Sequence, residues 1–178
     1  MKDFLANGNL DPGIHSYTMK EFEQQFVLDF KNSMSRKPIF SDFCVWFKEL
    51  IDLVPPRYVW LDGSYLTTKE DPKDIDLVIF YRPEDLQHIT QDTADKLKEM
   101  INVVSRSYQC DAYFCYDFSK LLPQYRQQFP EQSLIMETYW MGQFGFDRNR
   151  DPKGMVQIGN TEILNFGGVS SGLSSRTN

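Results

Sequence analysis

Trp60-Leu61-Asp62-Gly63-Ser64-Tyr65, followed by Lys73-Asp74-Ile75-Asp76-Leu77-Val78-Ile79-Phe80, is the stretch on which the reading of this chain turns. An apolar strand runs into a Gly-Ser turn, and a second apolar strand carries two carboxylates at its start. Side chains alternate across a strand, so Asp74 and Asp76 at i and i+2 project to one face. Two like charges side by side are unfavourable unless one is protonated or a cation stands between them. All-oxygen ligands suit a hard ion such as Mg²⁺, and Mn²⁺ accepts the same donors. Gly63 lets the backbone approach a ligand closely, and Ser64 offers a hydroxyl and an N–H at an expected helix start, which favours phosphate. Metal and phosphate chemistry are therefore expected within one short segment. The plainer alternative makes Asp74 a turn residue closing Asp71-Pro72-Lys73-Asp74 and pairs Asp76 with a lysine at an exposed edge.

Upstream, Ile39, Phe40, Phe43, Trp46, Phe47, Leu50 and Ile51 recur at helical intervals until Pro55-Pro56. They predict a buried helix ahead of the first strand, Arg57 to Leu61. Thr18-Met19-Lys20-Glu21 fits a capping box, and Phe22, Phe26 and Phe30 follow on one helical face, so a first helix begins near Thr18. Asn32 to Lys37 is a polar, basic interval. Asn7 to Gly13 is rich in turn formers and predicts an irregular cover segment, not a strand.

Downstream, Lys69 to Lys73 reads as a surface loop and Ile75 to Tyr81 as the second strand, stopped by Arg82-Pro83. Apolar residues from Leu86 to Val104 mark one or two helices broken near Thr90 to Asp92. Tyr108 to Tyr116 reads as a strand in which Asp111 is embedded; an unpaired charge there is costly, which singles it out as a third carboxylate. Glu131 to Met141 predicts a short helix or an irregular segment. Arg148, Arg150 and Lys153 lie in a turn before the last strand, Met155 to Ile158. Asn165 to Asn178 has the composition of a flexible linker. The expected organisation is a single domain over residues 1–166 with a flexible Gly/Ser-rich tail over 167–178.

With 178 residues, 41% hydrophobic and 15% aromatic, the chain can fill one well-packed core. A net charge of -6 argues against broad binding to duplex nucleic acid, although a local basic site is compatible with it. No apolar run reaches the length of a membrane span, and Met1-Lys2-Asp3-Phe4-Leu5 lacks a signal-peptide core, so a cytoplasmic protein without membrane insertion is expected. Cys44, Cys110 and Cys115 form no CxxC pair and read as reduced core residues. His15 and His88 are too few for zinc; His88 reads as a helix-surface residue, and His15 as a surface or cleft residue.

Gly63-Ser64, a nine-residue spacer, Asp74-Ile75-Asp76 and Asp111 resemble, in order and spacing, the signature of the DNA polymerase β-type nucleotidyltransferase superfamily. Pro12-Gly13-Ile14-His15, Trp60-Leu61-Asp62-Gly63-Ser64, and Phe144-Gly145-Phe146-Asp147-Arg148 with Pro152-Lys153-Gly154 are similar to a small bacterial family of stand-alone members, over about residues 12 to 160. The resemblance implies an α/β (α+β) nucleotidyltransferase fold, a small mixed sheet flanked by helices. It implies two Mg²⁺ ions, about 3.5–4 Å apart, that clamp a nucleoside triphosphate during in-line attack by a hydroxyl. Asp74 and Asp76 would bridge both ions, Asp111 would complete the one that binds the acceptor, and Gly63 and Ser64 would hold the β- and γ-phosphates. Lys69, Lys73, Arg148, Arg150 and Lys153 would counter phosphate charge, or else are solvated loop cations. The implied acceptor is a protein, the chain's own serine-bearing tail or a nucleic acid 3′ end, in a toxin–antitoxin or antiphage-defence setting with a cognate partner or an oligomeric form. The competing classes are a catalytically inactive nucleotide-binding module or antitoxin, and a metal-dependent phosphohydrolase.

Overall fold

A computed structural model describes residues 1–168 of the chain. The lead-in remains irregular to Pro12, but Gly13–Ser16 forms a short strand, β1, where the turn-rich composition predicted none at Gly13. The reason is tertiary: Gly154 packs so closely on the lead-in that a Cβ there would stand 2.0 Å from the Asp11 carbonyl oxygen. Thr18 then caps α1 (Met19–Glu23) as expected, accepting the Glu21 N–H while the Glu21 carboxylate accepts the Thr18 N–H at 2.8 Å. The ladder widens into one π-helical segment, Gln24–Leu28, which leaves Phe22 and Phe26 fully buried.

Helix α2 (Arg36–Leu53) carries the aromatic run into the core and stops ahead of Pro55. The chain continues through β2 (Tyr58–Asp62), β3 (Ile75–Tyr81), α3 (Pro83–Leu86), α4 (Gln91–Asn102), β4 (Cys110–Tyr116), α5 (Glu131–Phe144), β5 (Gly154–Gly159) and α6 (Asn160–Gly167). The strands form one five-stranded mixed sheet in the order β1-β5-β2-β3-β4. β3 and β4 are parallel, so α3 and α4 form the crossover between them; β2 runs antiparallel to both β3 and β5.

Alternation assigns each strand residue to a layer. Val59, Leu61, Leu77 and Ile79 face the main core, shared with α1, α2, α4 and α6. Trp60, Val78 and Phe80 face the other way and are covered by Trp140 and Phe144 of α5. This second face is the one that carries the site. Cys44, Cys110 and Cys115 are free thiols, as expected, and no helix among the described residues is long and apolar enough to cross a membrane.

Two further expectations need correction. Asn165 and Phe166, read with the linker-like end, and Gly167, the first residue of the proposed tail, belong to α6, which Gly168 caps and where the Phe166 ring packs on Phe47 with centroids 6.0 Å apart. The rest of the proposed tail, from residue 169, lies outside the described residues. Arg36, part of the polar interval, is fully buried. Its guanidinium donates to the carbonyls of Phe26 and Tyr65 at 2.8 and 2.7 Å, of Thr67 and Lys69 at 2.8 and 2.7 Å, and of Glu70 at 3.3 Å. One side chain thereby fixes the loop that leaves the Gly-Ser turn.

Candidate functional site

Three carboxylates lie in a row across the sheet because three strands are in register: Asp62 pairs with Asp76 on the antiparallel neighbour, and Asp76 with Asp111 on the parallel one. Asp74 precedes β3 by one residue and is exposed, whereas Asp71 ties the loop to the segment ahead of α2, accepting from Ser33 Oγ at 3.0 Å and from the Met34 N–H at 2.7 Å. Gly63 has φ of +84°, and a Cβ on it would stand 1.8 Å from Asp76 Oδ2. Only glycine allows both the turn and the carboxylate beside it. The helix expected at Ser64 is a single 3₁₀ turn, Ser64–Leu66, too short for a helix dipole to contribute.

These elements enclose a cleft of about 870 Å³. Of the site residues expected from sequence, Gly63, Ser64, Lys69, Lys73, Asp74, Asp76, Asp111, Arg148 and Lys153 line it together. Arg150, in the left-handed region at φ of 70°, is not among the lining residues. Neither is His15, whose Nε2 donates to the Asp11 carbonyl at 2.6 Å. His88 is exposed in the turn after α3 and not on a helix. The Asp147 carboxylate accepts the Asn149 and Asp151 N–H groups and the Asn9 side-chain amide, shaping the turn that presents Arg148.

Burial pushes the Asp76 carboxyl up to about 6, reinforced by Asp74 and then Asp111, while Lys153 and Arg148 pull it down. Asp111 is held by the Tyr113 hydroxyl, which donates to Oδ2 at 2.7 Å, and that bond is the main reason the Tyr113 phenol rises to about 12. Tyr113 was missed, yet its i+2 spacing from Asp111 on a strand put both on one face.

Asp62 was also missed as a site residue. Its Oδ2 accepts from Lys153 Nζ at 2.9 Å, both side chains are buried, and its Oδ1 has no partner among the described residues. Burial drives the Asp62 carboxyl up to about 7 against the pull of Lys153. The signal was available: Asp62 ends an apolar strand, the same embedding that singled out Asp111. Lys153 is therefore no solvated loop cation. Lys153→Met, which leaves Asp62 buried and alone, is expected to lower stability by about 3 kcal/mol near pH 8. The double variant Asp62→Asn, Lys153→Met should recover most of that loss. Urea denaturation of the three proteins checks this, and a single-variant loss below about 1 kcal/mol would contradict the pairing.

The donor chemistry fits a hard divalent cation: the carboxylates offer only oxygen, Asp74 and Asp111 disfavour the charge on Asp76, and Asp62 Oδ1 is orphaned. Among the described residues no three His, Cys, Asp or Glu side chains are already gathered as a metal cluster.

Fold and cleft together define a mixed α/β protein in which one end of three neighbouring strands carries a glycine turn and a row of acids. The chain belongs to the family of unknown function DUF6932, whose model matches residues 2–159 and so takes in all five strands and every residue that lines the cleft. No curated protein and no solved structure matches the chain.

Proposed function

We propose that the protein is a Mg²⁺-dependent nucleotidyltransferase of the DNA polymerase β type, which moves a nucleoside monophosphate from an NTP or dNTP to a hydroxyl. The observation that carries this reading is the register of Asp76 with Asp111 on parallel strands, beside Asp74 and the Gly63-Ser64 turn in one cleft. Asp74, Asp76 and Asp111 are the residues that would hold the metal, which when bound neutralises phosphate charge and lowers the pKa of a hydroxyl. Gly63 and Ser64 donate to the β- and γ-phosphates, and Lys69, Lys73 and Arg148 counter their charge from the rim. The acceptor oxygen bonds to the α-phosphorus as the bond to the β-bridging oxygen breaks, and pyrophosphate leaves with that electron pair. The hydroxyl proton passes to Asp111, which Tyr113 keeps in position.

Pyrophosphate release from each of the four NTPs and four dNTPs with Mg²⁺, in the presence of bacterial RNA, DNA or protein extract, tests the reading. Wild type should exceed the Asp74→Ala, Asp76→Ala variant by about a thousandfold. Equal release by the two proteins would refute it, and phosphate release without any acceptor would make the protein a phosphohydrolase.

A further inference from the structure

The cleft has two chemically different walls. One bears the Gly-Ser turn, the carboxylates and the lysines; the other, built from α5 and the turn that follows it, is aromatic. Tyr139 and Phe146 line that wall, yet are 48% and 50% exposed. Helix α5 is apolar on two sides, since Trp140 and Phe144 pack on the sheet while Ile135, Tyr139 and Met141 remain open to solvent. A surface helix ordinarily turns a polar face outward. The exposed apolar residues also sort by chemistry: those lining the cleft are aromatic, whereas the aliphatic Ile135 and Met141 stand outside it. Gln143, one helical turn beyond Tyr139, sets an amide on the same wall. The Tyr139 ring meets Trp140 edge-on at 5.1 Å, and Trp140 packs on Tyr113 at 4.5 Å, so the wall is braced against the side chain that holds Asp111.

We infer that this aromatic wall is a stacking platform for the bases of a single-stranded nucleic acid, whose terminal hydroxyl is the acceptor. The inference rests on the nucleotidyltransferase reading. Half-exposed rings beside cations are the arrangement that binds single strands with little sequence preference, because every base has a face to stack and every linkage a charge to neutralise. Lys69, Lys73 and Arg148 supply that charge at the rim of a chain whose net charge of -6 repels nucleic acid elsewhere. Paired bases in a duplex have no free face to offer the rings, so an unpaired end is selected. The aliphatic Ile135 and Met141, the kind of residue a protein acceptor would cover, do not line the cleft.

Fluorescence anisotropy with the full chain, without nucleotide, tests the platform against a labelled single-stranded RNA, a single-stranded DNA, the matching duplex and inorganic polyphosphate. Either single strand should bind about tenfold or more tighter than the duplex. The Tyr139→Ala, Phe146→Ala variant should lose about tenfold for the strand and leave polyphosphate binding unchanged. Lys69→Ala, Lys73→Ala should weaken both ligands and flatten the salt dependence. Adding NTPs and Mg²⁺ should then add mass to whichever strand, RNA or DNA, binds tighter. Binding of the duplex as tight as the strand, aromatic variants that bind like wild type, or nucleotide mass found on protein and not on the strand would each overturn the inference. The two readings fail differently: strand binding without pyrophosphate overturns the transferase and keeps the platform, whereas pyrophosphate release without strand binding does the reverse.

Discussion

Asp76→Asn is expected to abolish nucleotidyl transfer, by about a thousandfold or more, and at the same time to raise the melting temperature of the cation-free protein near pH 8. The two effects have one cause. Burial, then Asp74, then Asp111 push the Asp76 carboxyl up from 3.8 to about 6, so the folded protein binds that proton more tightly than the unfolded chain does. Above about pH 6 the folded state carries an unfavourable charge that the unfolded chain holds without cost, and the penalty fades as the pH falls toward 4. At roughly 1.4 kcal/mol per unit the ceiling is about 3 kcal/mol, and partial exposure reduces it to about 1–2. Asparagine keeps the shape and removes the charge, so the variant should melt about 3–6 °C higher near pH 8, with the gap closing by about pH 4. Mg²⁺ should raise the melting temperature of the wild type and leave that of the variant unchanged, because the cation needs the charge that the variant lacks. Thermal melts across pH, with and without Mg²⁺, check all of this. A variant that melts at or below wild type near pH 8 would show that Asp76 carries no such repulsion.

The sequence displayed the site's charges better than it displayed what holds them. β3 was legible to the residue because a run that is apolar apart from Asp76 lies between a charged loop and Arg82-Pro83, and Asp111 was legible because a carboxylate inside such a run demands a reason. Asp62 was passed over as part of the Gly-Ser turn, since its partner Lys153 lies 91 residues away and no local period joins them. β1 is four residues long and exists through pairing with β5, so alternation had nothing to work on. The end of α6 was merged with the tail because Asn165 and Phe166 run straight into the Gly/Ser-rich residues that follow, although Phe166 had a core to pack against. Arg36 was the hardest to see. Its partners are backbone carbonyls, which every residue carries and no pattern of side chains reveals.

That same Arg36 gives the largest expected loss of stability: Arg36→Met should cost on the order of 4–6 kcal/mol. The guanidinium donates to five carbonyls, stacks over the Phe30 ring at 3.6 Å and lies 5.0 Å from the Tyr65 ring centroid. Burial lowers its pKa to about 10 against the pull of Tyr65, Glu70 and Asp71, so it remains charged at neutral pH, and among the described residues it makes no ion pair that the change would break. Methionine fits the apolar sleeve but supplies no donor, and the Phe26 and Tyr65 carbonyls are left buried and unpaired, at about 1–3 kcal/mol each. Against a total stability of about 5–15 kcal/mol the fold would be marginal, so Arg36→Lys is the more informative partner. An ammonium keeps the charge and three donors but loses the planar fork that reaches carbonyls on both sides. Arg36→Lys should recover about half of the loss in urea denaturation. Its hydrogen exchange should quicken at residues 65–70 and stay unchanged in β4, because the loop after the Gly-Ser turn is what the fork holds. If that loop also receives phosphate, the KM for the nucleotide should rise more than kcat falls. A loss below about 2 kcal/mol in Arg36→Met, or exchange that quickens equally across the sheet, would mean that the loop is held by its own turn and not by Arg36.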